Sequence, residues 1–407
     1  MAQYEVDTEE FLMYDGTIKK ITELQMDDLL MSDDGTPAKI ILIKSVQEKT
    51  YRVKTVKGNC YMVGESQKLA LRYSVAPHIS YYKTTNRIIV KFFDKSLLKL
   101  KQKGFCLNNY EGNEQEKKEA ANRDAVKYLN EIKEKVESRP SFIINVSDYI
   151  NSSIKNEMKT FRVPLEFPMN EDVEFDPYIV GFWLGDGTAR DSAITTADKE
   201  VIEYFTNHME RYGLFLKQIK DITYRITSGK NGNNYKGKNR FLEFLQDNNL
   251  INNKHIPLKY LLSSRENRLE LLAGLIDSDG NLSHEGFDFL QKREHLLDQV
   301  LFLARSLGFA CYKSAQEKTC TNAPGGPKTD IYYRCNISGN TDQIPCKIPR
   351  KQAEKRQQIK DVLVTGITLE EIEEPITTYR IMTDKNNFLM SDLTVRASYK
   401  LRLNIIK

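Results

Sequence analysis

Paired cysteines, clustered histidines and long apolar runs are all missing from this chain. The six cysteines (Cys60, Cys106, Cys311, Cys320, Cys335 and Cys346) contain no C-x-x-C pair and no zinc-finger spacing. A zinc scaffold or a disulfide framework is therefore not expected, and the thiols read as those of a reduced, intracellular protein. The five histidines (His78, His208, His255, His284 and His295) are scattered without metal-ligand spacing, so none is read as a ligand or catalytic base. No apolar run approaches the roughly 18 residues that cross a bilayer, and the N-terminus has no signal-peptide pattern. Neither secretion nor membrane insertion is expected.

What remains is long and unevenly charged. At 407 residues the chain exceeds one ordinary core, which predicts two or three domains. Its 40% hydrophobic and 29% charged content is that of a soluble globular protein. The net charge is only +4, yet Met1 to Ile40 carries ten acidic and three basic residues. Tyr81 to Tyr110 has seven Lys/Arg and one Asp, Arg225 to Arg240 five basic and no acidic residues, and Lys318 to Lys360 nine basic and three acidic. Three basic stretches on a nearly neutral chain suit a long polyanion lying across several elements.

The chain also repeats itself. "LLAGLIDSDGNL" (Leu271 to Leu282) aligns without gaps on "YIVGFWLGDGT" (Tyr178 to Thr188), placing Gly181 on Gly274, Gly185 on Ser278 and Asp186 on Asp279. Asp277 faces Leu184, so it is expected to cap rather than to pair. After each motif comes a helical-period segment ending in a glycine, Gly213 or Gly308, and then strand-like runs. A lysine beside an Ile-Pro pair follows in each copy, Lys254 and Lys347. Both lie 68 residues beyond their acid.

Small residues four apart share a helix face and let two helices approach backbone to backbone. Two such helices would bring Asp186 and Asp279 together at their C-terminal ends. Carboxylates that close repel one another unless a cation joins them, and hard oxygen donors suit Mg²⁺. Such a site can serve phosphodiester hydrolysis, with the lysines neutralising charge that develops on the phosphate.

These residues resemble the LAGLIDADG homing endonucleases in their single-chain, two-motif form; "LAGLIDSDG" matches the signature at eight of nine positions. The resemblance implies αββαββα halves forming a saddle on double-stranded DNA, and cleavage of a long asymmetric site to leave short 3′ overhangs. It implies Mg²⁺, with Mn²⁺ able to take its place, and a monomer, since one chain supplies both half-sites. Asp186 and Asp279 are the expected metal-binding acids, grouped with the adjacent Gly185 and Ser278. Lys254 and Lys347 are the expected catalytic lysines.

The flanks read differently. "FLMYDGTIKKITELQMDDLLMSDDGTPAKI" alternates strand-like runs with Asp-Gly turns, and "YRIMTDKNNFLMSDLTV" reads as two strands about an Asn-rich turn. The order resembles a Hint (intein) fold interrupted by an endonuclease. Splicing needs an N-terminal nucleophile, an inner histidine and a C-terminal His-Asn. The matching positions hold Ala2, Gln67, Arg396 and Ala397, so splicing is expected to be lost.

The expected architecture is thus an α+β/all-β composite: a β-rich Hint-like domain interrupted by a pseudo-twofold αββαββα endonuclease domain. The boundaries are 1–72, 73–170 (a DNA-recognition insertion and a charged linker helix), 171–357 (halves about 175–262 and 266–357) and 358–407. Expected DNA contacts are Lys83, Arg87 and Lys91 in the insertion, Arg225, Lys230, Lys236, Lys238 and Arg240 in the first half, and Lys318, Lys328 and Arg334 in the second. "YRITSGKNGNNYKGKNR" is expected as two strands joined by a basic loop, which suits the roughly 12 Å major groove. Action on DNA points to the nucleus.

Overall fold

The computed structural model describes residues 6–167, 172–229, 238–283, 286–320, 328–355 and 360–400. Asp-Gly turns link its N-terminal strands in pairs. β1 (Glu10–Leu12) pairs with β2 (Ile18–Lys20), and β3 (Leu29–Met31) with β4 (Pro37–Glu48). Gly16 and Gly35 take φ of 82° and 76°, and the preceding Asp15 and Asp34 accept from the amides of Thr17 and Thr36. That is the geometry these dipeptides favour.

β5 (Thr50–Thr55), β6 (Tyr61–Gly64) and β7 (Lys68–Tyr73) follow. β8 (His78–Tyr82), β9 (Arg87–Asp94) and β10 (Lys99–Cys106) then form a separate three-stranded sheet. One face of that sheet packs Ile88 and Val90 under α1 (Glu114–Lys135), whose Ala121, Ala125 and Ile132 are buried against them. Asn113 and Glu116 close a capping box at the start of α1. β11 (Ser141–Asn145) and β12 (Met158–Phe161) return to pair with β7. The inserted sheet and helix therefore end near residue 136, well before residue 170.

The C-terminal strands complete the sheets that the N-terminal ones began. β20 (Val364–Thr365) pairs with β12, β21 (Ile367–Glu371) with β5, and β22 (Ile376–Thr383) with β4. One core unites Phe11, Leu30, Val53, Leu71, Ile381 and Phe388. The two strands expected around the Asn-rich turn do not pair with each other: β22 joins β4, while β23 (Asn387–Leu389) joins β24 (Val395–Ala397). β4 is a 12-residue strand offering β22 an eight-residue partner, far more than a local hairpin with the three-residue β23 could.

Between these flanks lies a second large core from Phe175 to Ile348. Its first half runs α2 (Pro177–Asp186), β13 (Ala193–Thr195), α3 (Lys199–Met209), β14 (Phe215–Lys220), β15 (Thr223–Thr227) and α4 (Arg240–Asp247). Its second half runs α5 (Arg265–Asp279), β16 (Gly280–Ser283), β17 (Gly286–Gln291), α6 (Glu294–Ser306), β18 (Ala310–Cys320) and β19 (Lys328–Ser338). The second half follows the expected αββαββα order as far as β19, but no α-helix closes it among the described residues. In the first, the strand after α2 is reduced to a single bridge between Gly187 and Ile194.

Arg240, expected on a strand, opens α4. Asn239 caps it by accepting from the Leu242 amide at 3.1 Å, and Phe241, Phe244 and Leu245 are buried at helical spacing. No described helix is long and apolar enough to span a membrane.

Candidate active site

α2 and α5 pack main chain against main chain because four small residues allow it. A Cβ added at Gly274 would lie 2.7 Å from the Phe182 amide nitrogen and overlap the Tyr178 carbonyl. One added at Gly181 would overlap the Leu271 carbonyl and stand 3.1 Å from the Leu275 nitrogen. At Gly185 it would meet Ser278 Oγ and come within 3.2 Å of Asp279 Oδ2. Ser278 fits there because its hydroxyl folds back onto its own helix, donating to the carbonyls of Gly274 and Leu275.

Asp186 and Asp279 are the last residues of the two helices and stand side by side at the same end. Burial raises the pKa of Asp186 to about 6, with the negative charge of Asp279 adding to the shift. Asp279 is also raised, by burial, against the pull of Lys254 and Lys351. Helix C-termini disfavour anions, so this placement runs against the helix dipoles. Gln291, at the end of β17, donates from Nε2 to Asp279 Oδ2 at 3.2 Å.

Lys254 is buried and donates to the carbonyls of Gly185 at 2.8 Å and Gly187 at 2.6 Å. Burial lowers its pKa to about 8, partly offset by the charge of Asp279. Lys347 is not brought to the acids. Its ammonium sits 2.8 Å from Glu270 Oε2, over the rings of Tyr178 and Tyr204. Lys351 takes the corresponding place, donating to the carbonyls of Ile276 at 2.9 Å and Asp277 at 2.7 Å. Its pKa is lowered by burial against the attraction of Asp277 and Asp186. The equal 68-residue spacing pointed to Lys347, but the short turn at Pro349–Lys351 carries the chain one step further before a lysine faces inward.

Asp277, expected to cap, ties distant segments together. Its Oδ2 accepts from the Tyr178 hydroxyl at 2.9 Å and from the Lys347 amide at 2.6 Å. Gln291 and Lys351 carried no sequence signal before the fold was known. Lys351 lies only two residues past the Ile-Pro pair, which a search extended beyond that pair would have reached.

Among the described residues no cluster of three or more His, Cys, Asp or Glu side chains could hold a metal. The donor set present is two carboxylates plus helix-end carbonyls. Two adjacent carboxylates with raised pKa values are what a hard divalent cation would relieve, so the residues fit Mg²⁺ completed by water and phosphate oxygens. The Gly185 carbonyl already accepts from Lys254, and the Ser278 carbonyl lies 3.4 Å from Lys351 Nζ. A second lone pair remains on each.

Of the expected DNA contacts, Arg87, Lys91, Arg225, Lys318 and Arg334 lie on outward sheet faces. In β9, Arg87 and Lys91 alternate with the buried Ile88 and Val90, so they lie on the face away from α1; the Lys91 ammonium rests on the Tyr82 hydroxyl. Lys83 is exposed in the turn between β8 and β9. In the first half, Arg225 shares an outward face with Lys217 and Thr223 while Ile226 points inward. Arg225 pairs with Asp191 at 3.0 Å. Lys238 is exposed beside Glu243, and Arg240 is exposed at the start of α4.

In the second half, Arg334 and Lys318 lie on the face opposite the buried Phe289, Cys335 and Ile337, and Arg334 pairs with Asp288 at 2.6 Å. Lys230, Lys236 and the side chain of Lys328 lie outside the described residues.

The positions matched to splicing converge as well. Gln67, Arg396 and Ala397 line one small cleft with Val6, Glu9 and Tyr379. Gln67 Nε2 donates to the Tyr379 carbonyl at 2.9 Å. Arg396 stacks on Tyr61 and reaches Glu9 at 3.5 Å and the Met62 carbonyl at 3.2 Å. Ala2 lies outside the described residues.

Comparison with known proteins finds similarity over part of the chain. A replicative DNA helicase DnaB of Mycobacterium intracellulare is 32% identical over 184 residues, 45% of this chain and 26% of that protein. The homothallic switching endonuclease of Saccharomyces cerevisiae (strain ATCC 204508 / S288c) is 26% identical over 194 residues, 40% of this chain and 32% of that protein. The chain thus spans between a quarter and a third of the length of these relatives.

Among solved structures, mesophilic variants of the homing endonuclease I-DmoI align with a TM-score of 0.28 at 17% identity, covering 42% of this chain and 90% of that one. I-DmoI in complex with DNA and Mn aligns with a TM-score of 0.27 at 16% identity, covering 45% and 97%. Residues 255–360, which carry Asp279, Lys347 and Lys351, match the family model for homing endonucleases.

Proposed function

We propose that this protein is a site-specific DNA endonuclease of the LAGLIDADG type. The carrying observation is that Asp186 and Asp279 meet at the ends of two closely packed helices, each helix end bearing a buried lysine. Asp186 and Asp279, with the Gly185 and Ser278 carbonyls, would hold Mg²⁺ (or Mn²⁺), whose chemistry there is to polarise water and phosphate oxygens. The protein's own part is arrangement. Gln291 orients the Asp279 carboxylate, and Lys254 and Lys351 place positive charge where a pentavalent phosphate would build negative charge. The outward faces bearing Arg225 and Lys217, and Arg334 and Lys318, bind backbone and read base edges in the major groove. The face of Arg87 and Lys91 extends that contact along the duplex.

One chain contains both half-sites, so the enzyme acts as a monomer, on a long asymmetric target, leaving short 3′ overhangs. The nucleus is where such a target would be met. The β-rich flanks form a Hint-like domain whose splicing chemistry has decayed. Gln67 and Arg396 occupy their cleft with hydrogen bonds to main chain, and neither can act as the histidine that splicing requires. A fusion placed around the chain would stay full length on a gel. The helicase likeness suggests no ATPase: "GNNYKGKN" (Gly232 to Asn239) has phosphate-loop spacing but ends in Asn239 where a Mg²⁺-binding Ser or Thr is needed.

The test is cleavage of a randomised duplex library in Mg²⁺ by the intact protein, Asp186→Asn and Asp279→Asn. One enriched, cut sequence that neither variant cuts on both strands supports the proposal. Retention of one long sequence with no cleavage would leave a DNA-binding protein in its place.

A further inference from the structure

The two inward lysines are held by different devices, and one device comes from the opposite half. Gln299 projects from α6 of the second half onto the first-half segment that carries Lys254. Its Oε1 accepts from the Ile256 amide at 2.7 Å, and its Nε2 donates to the Ile256 carbonyl at 3.0 Å. One side-chain amide thus pairs with a single residue's main chain in both directions, as a neighbouring strand would. One turn earlier on α6, His295 Nε2 lies 2.9 Å from the Lys254 carbonyl oxygen. Lys254 and Ile256 are both buried. The main chain that fixes where the Lys254 ammonium can reach is therefore pinned on both sides of His255.

The pseudo-symmetric position does not repeat this. Counting from the first residue of each helix, Gln299 in α6 corresponds to Tyr204 in α3. The Tyr204 hydroxyl donates to Asp176 Oδ2 at 3.1 Å instead. The segment leading to Lys351 is gripped by Asp277 of its own half, which accepts from the amides of Lys347 at 2.6 Å and Ile348 at 3.3 Å. At the position of Asp277, α2 has Leu184.

We infer that Gln299 is a positioning residue for Lys254 and sets the cleavage rate of one DNA strand separately from the other. This rests on the endonuclease reading. Lys254 stands on the helix-end carbonyls of the first half and Lys351 on those of the second, so each attends one of the two scissile phosphates. Loosening the Lys254 segment leaves the Asp277 grip on the Lys351 segment intact. A displacement near 1 Å from productive geometry costs roughly 100-fold in rate.

The experiment uses full-length protein on supercoiled plasmid carrying the site that the intact protein selects, with each strand's cleavage followed separately by end-labelling. Gln299→Leu removes both contacts. It should slow one strand by roughly 30- to 100-fold, leave the other and the Kd for DNA within about twofold, and so accumulate nicked circles. Gln299→Glu keeps the acceptor for the Ile256 amide and should fall between. His295→Ala, at an exposed position, repeats the test with smaller effect and little risk to folding. Equal slowing of both strands, or of neither, overturns the inference while leaving the endonuclease standing. An intact protein that cuts neither strand overturns both.

Discussion

Replacing Gly181 by alanine probes the helix contact on which the acid pair depends. The added methyl would overlap the Leu271 carbonyl and lie 3.1 Å from the Leu275 nitrogen. Both obstacles are main chain, so no side-chain rotation relieves the clash and the helices must part. Overpacking of this kind costs about 1–3 kcal/mol, and the upper end applies where the obstacle is backbone. For a unit of roughly 180 residues, about 3 kcal/mol lowers Tm by roughly 6–12 °C.

Trp183, the only tryptophan, is fully buried two residues from Gly181, and its fluorescence reports unfolding of this unit apart from the β-rich one. Parting the helices also moves Asp186 from Asp279, so cleavage should fall by roughly 100-fold at 25 °C, where the variant is folded. Gly104→Ala is the control. It lies on the exposed strand β10 with its nearest neighbour, Arg87 Cδ, at 3.7 Å, and should be close to neutral. If the Trp183-monitored Tm of Gly181→Ala moved no further than the control, the packing argument would be refuted.

Asp186 should make metal-free stability fall with pH. Its pKa of about 6 in the folded chain exceeds the roughly 3.9 of an unfolded aspartate. The stability it contributes is complete below about pH 4 and is lost as pH rises through about 6. Asp186→Asn should flatten that part of the Tm–pH curve, and Mg²⁺ should raise Tm at pH 7.5 in the parent more than in the variant; an unchanged curve would contradict the burial argument. Lys254→Met and Lys351→Met should each lower cleavage by roughly 100-fold or more with DNA affinity nearly kept, whereas Lys347→Met should spare the rate and cost about 1 kcal/mol of stability at most. Filter binding across a salt series should show Arg87→Ala, Arg225→Ala and Arg334→Ala each reducing the salt slope by about one if they contact phosphate. Asp392→Ala should cost about 3–5 kcal/mol by stranding Arg162, its buried partner at 2.8 Å, as read by thermal unfolding.

Some of this molecule is written in one dimension. Gly181, Gly185, Gly274 and Ser278 recur at a helical spacing whose packing meaning is local, and an acid at the end of each copy marks the helix C-terminus. Gly16 and Gly35 announce their turns for the same reason, since φ and ψ there are decided by the residues themselves.

What required the folded chain is everything set by contacts between distant segments. The choice of Lys351 over Lys347 depends on how a turn seats against α5, and a count of residues does not contain that. β22 prefers β4 to its neighbour β23 because a partner more than 300 residues away offers a longer ladder. Arg240 opens a helix because the burial of Phe241, Phe244 and Leu245 outweighs a strand-like composition. Gln299 meets the Ile256 main chain only where the two halves touch. Periodicity records which face of an element is buried; it is silent on which other element does the burying, and for that reason the acid pair was legible in the sequence while its lysine and glutamine partners were decided by tertiary structure.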